Sequence, residues 1–127
     1  MQASVSASPV TLSAQLELVY QDEHLVAINK PAGLLVHRSH LDRYETRFAL
    51  QMLRDQIGQR VYPVHRLDKP TSGILLFALS PDIARQLSLL FEQRQVHKQY
   101  LAVVRGHCPQ QGEIDHPLKE QRDKIAD

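Results

Sequence analysis

Apolar residues recur along this chain in two rhythms. Leu16-Glu17-Leu18-Val19-Tyr20 alternates weakly and predicts a strand. Leu25-Val26-Ala27-Ile28-Asn29 predicts a second, apolar enough to be buried on both faces. The polar run Gln21-Asp22-Glu23-His24 between them reads as a turn. Lys30-Pro31-Ala32-Gly33 is a further turn signal, because proline fixes one backbone angle and glycine admits a positive one. The rhythm then changes. Phe48, Ala49, Met52, Leu53 and Ile57 recur at helical spacing, and Gly58 supplies a C-terminal stop. Strands are predicted again over Val61 to Val64 and Ile74 to Leu79. Ser80-Pro81-Asp82 predicts a helix start: a cap, a proline in the first turn and an acid beside it. Ile83, Leu87, Leu90, Phe91 and Arg94 follow at the spacing of one helical face. Val96 to Arg105 reads as a strand ended by Gly106, and Glu113 to Leu118 as another short one.

The predicted order is strand, strand, helix, strand, strand, helix, strand. It lacks the regular alternation of a parallel doubly wound sheet. The expected fold class is α+β, a mainly antiparallel mixed sheet with flanking helices. Residues 1–15 are rich in Ser and Ala without a charged side chain and are expected to be a disordered tail. Residues 16–127 are then one domain or part of one.

Composition narrows the class. The chain has 127 residues, the size of one ordinary domain, and 43% are apolar, enough for a core. A net charge of +1 does not mark a strongly basic nucleic-acid binder, so any basic residues that meet a polyanion must cluster on one face. The single cysteine, Cys108, excludes an internal disulfide framework and fits a reducing compartment. No apolar run approaches a membrane span, and the N-terminus carries no secretory pattern, so the expected location is cytoplasmic.

The chemistry concentrates in His65-Arg66-Leu67-Asp68-Lys69-Pro70-Thr71-Ser72-Gly73. An arginine and a carboxylate stand two positions apart in a proline-stiffened turn between two apolar runs. Arg66 and Asp68 can form a structural ion pair that staples the turn. Alternatively, the guanidinium can hold Asp68 ionised for chemistry, since a nearby cation favours the carboxylate form. A carboxylate that attacks carbon must be ionised and shielded from water. Thr71, Ser72 and Gly73 can supply hydroxyls and backbone N–H groups that fix the loop. The segment is not a protein-kinase catalytic loop, because Leu67 interrupts H-R-D and no glycine-rich loop or D-F-G is present. It is not an aspartic-protease loop, and no phosphate-binding P-loop occurs. A glycosidase would need two opposed carboxylates, and only Asp68 has a persuasive setting. His37 and His40 form H-x-x-H without a third nearby ligand, and no metal site is expected.

His65-Arg66-Leu67-Asp68 with Thr71-Ser72-Gly73 resembles the H-R-L-D-x-x-T-S-G signature of the RluA-type RNA pseudouridine synthases. Asn29-Lys30-Pro31-Ala32-Gly33 with Leu35-Val36-His37 resembles the family's N-K-P-x-G…V-H segment, and Lys98-Gln99-Tyr100-Leu101-Ala102 its K-x-Y-x-A strand. Residues 35–39, 41–42, 54–59 and 123–127 are similar to the bacterial tRNA pseudouridine(65) synthase branch.

The resemblance implies an isomerase that turns a uridine of structured RNA, with tRNA the expected substrate, into pseudouridine without cofactor or metal. Asp68 would be the nucleophile or base that lets uracil leave C1′, rotate and reattach through C5. It could attack the ring, add to the sugar or remove a sugar proton. The target base must leave its stack to be reached. Arg66 would pair with Asp68 or fill the space left by the flipped nucleotide. Tyr100 would pack on that base, or be an ordinary core tyrosine. His65, Leu67, Thr71, Ser72 and Gly73 would line the substrate side. Lys30, His37, Arg38 and Lys98 would meet RNA phosphates, or be plain surface. Members also carry a long further segment with a basic strand that has no match here. The chain is therefore expected to be an N-terminal portion of the catalytic domain, exposing strand edges and apolar surface. It would be a monomer if complete and association-prone if truncated. A non-catalytic RNA-binding fragment of the same fold is the alternative.

Overall fold

A computed structural model describes residues 15–36 and 48–117. The chain divides into two units, residues 1–97 and residues 98–127. The first unit holds the regular structure found among the described residues. Its strands are β1 (Glu17–Gln21), β2 (Leu25–Lys30), β3 (Tyr62–Pro63) and β4 (Gly73–Ala78), and its helices are α1 (Ala49–Ile57) and α2 (Pro81–Glu92). The four strands form one sheet in the order β1-β2-β4-β3, and every neighbouring pair is antiparallel. An isolated parallel bridge joins Leu35 and Phe48. The α+β class with a mainly antiparallel sheet and flanking helices is therefore the observed one. Residues 1–14 of the expected tail lie outside the described residues, and Gln15 is exposed.

The register explains the burial. β2 pairs with β4 from Leu25↔Ala78 to Lys30↔Gly73, so Val26, Ile28 and Lys30 share one face with Phe77, Leu75 and Gly73. Val26, Ile28, Leu75 and Phe77 are fully buried there. Ala49 and Leu53 of α1 complete this core, with Leu16, Val36, Val61 and Leu67 from the connecting segments. Phe48 caps α1 without a side-chain hydrogen bond. The first helical N–H groups find other acceptors: Ala49 N–H donates to the Leu35 carbonyl (2.6 Å) and Leu50 N–H to that of Val36 (2.9 Å). At its far end Gly58 N–H donates to the Arg54 carbonyl, as the expected stop requires. α2 begins as predicted, with Ser80 Oγ accepting from Ile83 N–H at 3.2 Å and Pro81 in the first turn.

β1 is an edge strand and is exposed along its length. Its register slips between Leu18 and Tyr20, so Val19 is an extra residue facing a continuous β2. Such a bulge breaks the flat row of backbone groups that an edge would otherwise offer to another chain. The strand is closed at its start by Gln56 of α1. Leu16 N–H donates to Gln56 Oε1 (2.8 Å), and Gln56 Nε2 donates to the Leu16 carbonyl (2.9 Å).

The last predicted strands are corrected by the structure. Val96 to Arg105 forms no strand, and residues 113–117 form none either; Leu118 lies outside the described residues. In the second unit Leu101, Val103 and Ile114 are exposed, and no ladder forms among its described residues. Alternating β-branched residues supply a propensity for extended backbone, but a strand exists only when another strand takes its N–H and C=O groups.

The β1–β2 turn is built on Asp22. Its Oδ1 accepts from His24 N–H (2.8 Å) and Leu25 N–H (2.9 Å), and its Oδ2 from the Tyr20 hydroxyl (2.8 Å). These bonds, the backbone ones foremost, hold the Asp22 carboxyl below its ordinary pKa. A group depressed in the folded state stabilises above its unfolded pKa of about 3.9 and loses that contribution as pH falls through the folded value. Asp22→Ala is accordingly expected to destabilise the chain at neutral pH. The difference from wild type should shrink as denaturant midpoints are measured into the acid range; a difference that persists unchanged there would contradict the assignment.

Candidate active site

The segment from His65 to Ser72 connects β3 to β4, and its alternation of inward and outward residues decides what each can do. Leu67 is the inward one. It is 6% exposed and belongs to the core cluster, so it plugs the loop into the protein. Its neighbours Arg66 and Asp68 point outward, with side chains 68% and 78% exposed and an Arg66 Nη2 to Asp68 Oδ1 distance of 3.8 Å. The ion pair foreseen from spacing is present, but water reaches both partners, so it contributes at most about 1 kcal/mol. The expectation of a shielded Asp68 is not met among the described residues. Thr71 N–H donates to the Asp68 carbonyl at 2.9 Å, which closes the loop as a turn over Lys69 and Pro70.

Gly73 opens β4 at φ 134°, a backbone angle that residues with a Cβ rarely adopt, directly across from Lys30. Gly33 is likewise at φ 90°, in the turn after β2, and its N–H donates to the Lys69 carbonyl at 2.7 Å. The two motifs, thirty-odd residues apart in sequence, are thus bonded to one another.

Lys30, expected at the surface, lies instead inside the protein. Its side chain is 0% exposed. Its Nζ donates to the carbonyls of Pro31 (3.0 Å), Leu34 (2.6 Å) and Lys69 (3.2 Å). Burial lowers its pKa from the ordinary lysine value, and the negative charge of Asp68 opposes that shift. An ammonium with all three hydrogens turned onto backbone carbonyls has none to offer a phosphate. The expected RNA contact is therefore replaced by an internal one.

His65 and Leu67, expected on the substrate side, make internal contacts that support the loop. His65 Nε2 accepts the Leu76 N–H at 3.0 Å, so the neutral ring carries its proton on Nδ1. β3 pairs with β4 only through Tyr62↔Ala78 and Pro63↔Phe77, and the imidazole continues the ladder where the backbone of β3 leaves it. The same ring stacks on Phe91 of α2, with centroids 4.4 Å apart and planes 13° from parallel. Phe91 had been legible only as part of an apolar helix face. Lys69, whose carbonyl receives both Lys30 and Gly33, carried no signal at all, since the group in use belongs to the backbone.

Tyr100 and Lys98 belong to the second unit and are exposed, Tyr100 at 60%. His37 and Arg38 lie outside the described residues. Cys108 is a free, exposed thiol. Among the described residues no three His, Cys, Asp or Glu side chains gather where they could hold a metal, and no helix is long and apolar enough to cross a membrane.

The mainly antiparallel sheet with flanking helices is the fold class that was expected, and the bond between the acidic loop and the Lys-Pro-x-Gly turn is added by the structure. The chain belongs to the RNA pseudouridylate synthase family, whose sequence model matches residues 24–126. It is 66% identical over 112 residues to tRNA pseudouridine synthase C of Pasteurella multocida, covering 88% of this chain and 46% of that protein. It is 65% identical over 112 residues to tRNA pseudouridine synthase C of Yersinia pestis, covering 88% and 44%. The chain thus spans a little under half the length of the curated relatives it matches. Among solved structures, human RNA pseudouridylate synthase domain containing 1 shares the fold, with a TM-score of 0.51 and 23% identity over 74% of this chain and 31% of that one.

The burial pattern separates anchors from presented groups in a way unfolding experiments can read. Leu67→Ala is expected to cost about 2–4 kcal/mol, the range for emptying a buried leucine site. Asp68→Asn and Arg66→Gln should each stay within about 1 kcal/mol of wild type, because their side chains are solvated. Equal losses for all three in urea would show that the outward pair is structural.

Proposed function

We propose that this chain is the aspartate-bearing part of a tRNA pseudouridine synthase, working in the cytoplasm, in which Asp68 is the group that reacts with the target nucleotide. The observation that carries the reading is the presentation of Asp68. Its carboxylate stands outside the core on a loop fixed by Leu67 from within, by Thr71 across the turn and by Gly33 from the neighbouring motif. A reacting group needs that combination of reach and fixed position. Membership of the family and the names of similar proteins support the reaction class and the kind of RNA.

In this reading Asp68 enables cleavage of the bond from C1′ to N1, the uracil turns, and C5 takes the place of N1. The hydrogen on C5 leaves as a proton, so no redox partner is needed. Arg66 is exposed beside Asp68 and can pair with it or occupy the space that an extruded base leaves in the RNA. Thr71, Ser72 and Gly73 hold the far side of the loop, and Tyr100 is assigned to packing on the turned base. His37, Arg38 and Lys98 are assigned to the phosphates, and their contribution should weaken as salt rises.

A second reading, RNA binding without turnover by these 127 residues, is favoured by one observation: water has open access to Asp68 among the described residues. Tritium release from tRNA labelled at uracil C5 separates the two, because isomerisation must free that hydrogen. Release by wild type, reduced at least about a hundredfold in Asp68→Asn with RNA affinity retained, is the result expected of the first reading. Salt-sensitive tRNA binding by both proteins with release by neither is the result expected of the second. Undiminished release by Asp68→Asn would overturn the assignment of Asp68.

A further inference from the structure

Lys30 is the one fully buried charged side chain among the described residues, and its surroundings account for it atom by atom. It ends β2 on the core face, and three carbonyl oxygens converge on its three hydrogens. Two of those carbonyls, Pro31 and Leu34, belong to the turn after β2. The third, Lys69, belongs to the loop before β4 and follows Asp68 directly in the chain. That carbonyl also accepts Gly33 N–H at 2.7 Å, so both links from the turn to the loop end on a single oxygen. An apolar side chain at this position would take this donor from the Pro31 and Leu34 carbonyls and leave that of Lys69 with Gly33 N–H alone, and removing one partner of a buried polar group is costly.

We propose that Lys30 is a positioning residue for Asp68: its ammonium clamps the Lys69 carbonyl to the 31–34 turn and sets its charge on the inner side of the loop, fixing how the carboxylate is presented. The proposal rests on the reading of Asp68 as the reacting group. Asp68 is the charged group that acts on Lys30 among the described residues; the atoms bonded to Nζ are otherwise carbonyls of the turn and the loop. Burial favours loss of the lysine proton at a pH below the ordinary value of about 10.4. A neutral amine has two hydrogens for three acceptors and no charge to set against Asp68. The clamp therefore loosens as Lys30 deprotonates.

Carbon-detected NMR of the labelled 127-residue chain tests this without requiring turnover. The carbonyl carbons of Leu34 and Lys69 and the carboxyl carbon of Asp68 are followed with Lys30 Cε from about pH 6 to about pH 11, in wild type and in Lys30→Met. The expected result is one shared midpoint below about 10.4 in wild type, absent in Lys30→Met. In the variant the Lys69 and Asp68 carbons should sit away from their wild-type neutral positions at every pH. Indifference of Asp68 and Lys69 to the Lys30 titration would overturn the proposal, as would wild-type positions for both in Lys30→Met. If Lys30→Met does not fold, the wild-type titration alone decides. A failure of Asp68 in the tritium assay would remove the reading of Asp68 as reacting group and leave the titration result intact, so the two failures are distinguishable.

Discussion

The structure of the candidate site depends on a lysine that never meets solvent. Lys30 Nζ, bonded to Pro31, Leu34 and Lys69 carbonyls, joins two segments that the sheet alone would leave independent beyond the last pair of its ladder, Lys30↔Gly73. Burying a charge is expensive unless every hydrogen is matched, and here each one is. Around that centre the parts take consistent roles. Gly33 repeats the link through its backbone, Leu67 anchors the loop in the core, and His65 completes a strand ladder while resting on Phe91.

This arrangement separates two jobs that a short acidic loop must combine. Rigidity comes from inward groups that carry no chemistry of their own: an isobutyl group, a ring nitrogen and backbone carbonyls. The outward groups, Asp68 and Arg66, are left free of that work, and their contact at 3.8 Å is loose enough to be remade around a ligand. Because the outward pair contributes little to folding, those two side chains can be rearranged while the residues beneath them hold the frame.

Much of the fold was legible from the chain, and the reasons differ by element. β2 and β4 are apolar on both faces and bounded by turn residues, and both helices carry their own start or stop in Ser80-Pro81-Asp82 and Gly58. Residues 96–105 read equally well as a strand and are not one, because propensity says nothing about who supplies the neighbouring strand. At the site, Asp68 and Arg66 were legible as a motif. Lys30 was taken for a surface cation by its type, yet the period of two that placed Val26 and Ile28 inward also places Lys30 inward. Leu67, an apolar residue set between two charged ones, carried the same unused signal. His65 could not have been read, since its partner Leu76 lies 11 residues away and bonds through its backbone.

The amide of Gln56 gives β1 a property that a free edge strand lacks. By answering both the N–H and the carbonyl of Leu16, across 40 residues of sequence, one side chain of α1 behaves as a short length of neighbouring strand. Fraying of the sheet's outer edge must then break contacts to the helix as well as to β2. Strand and helix ought to open as one cooperative unit, and their amides to become accessible to solvent exchange together.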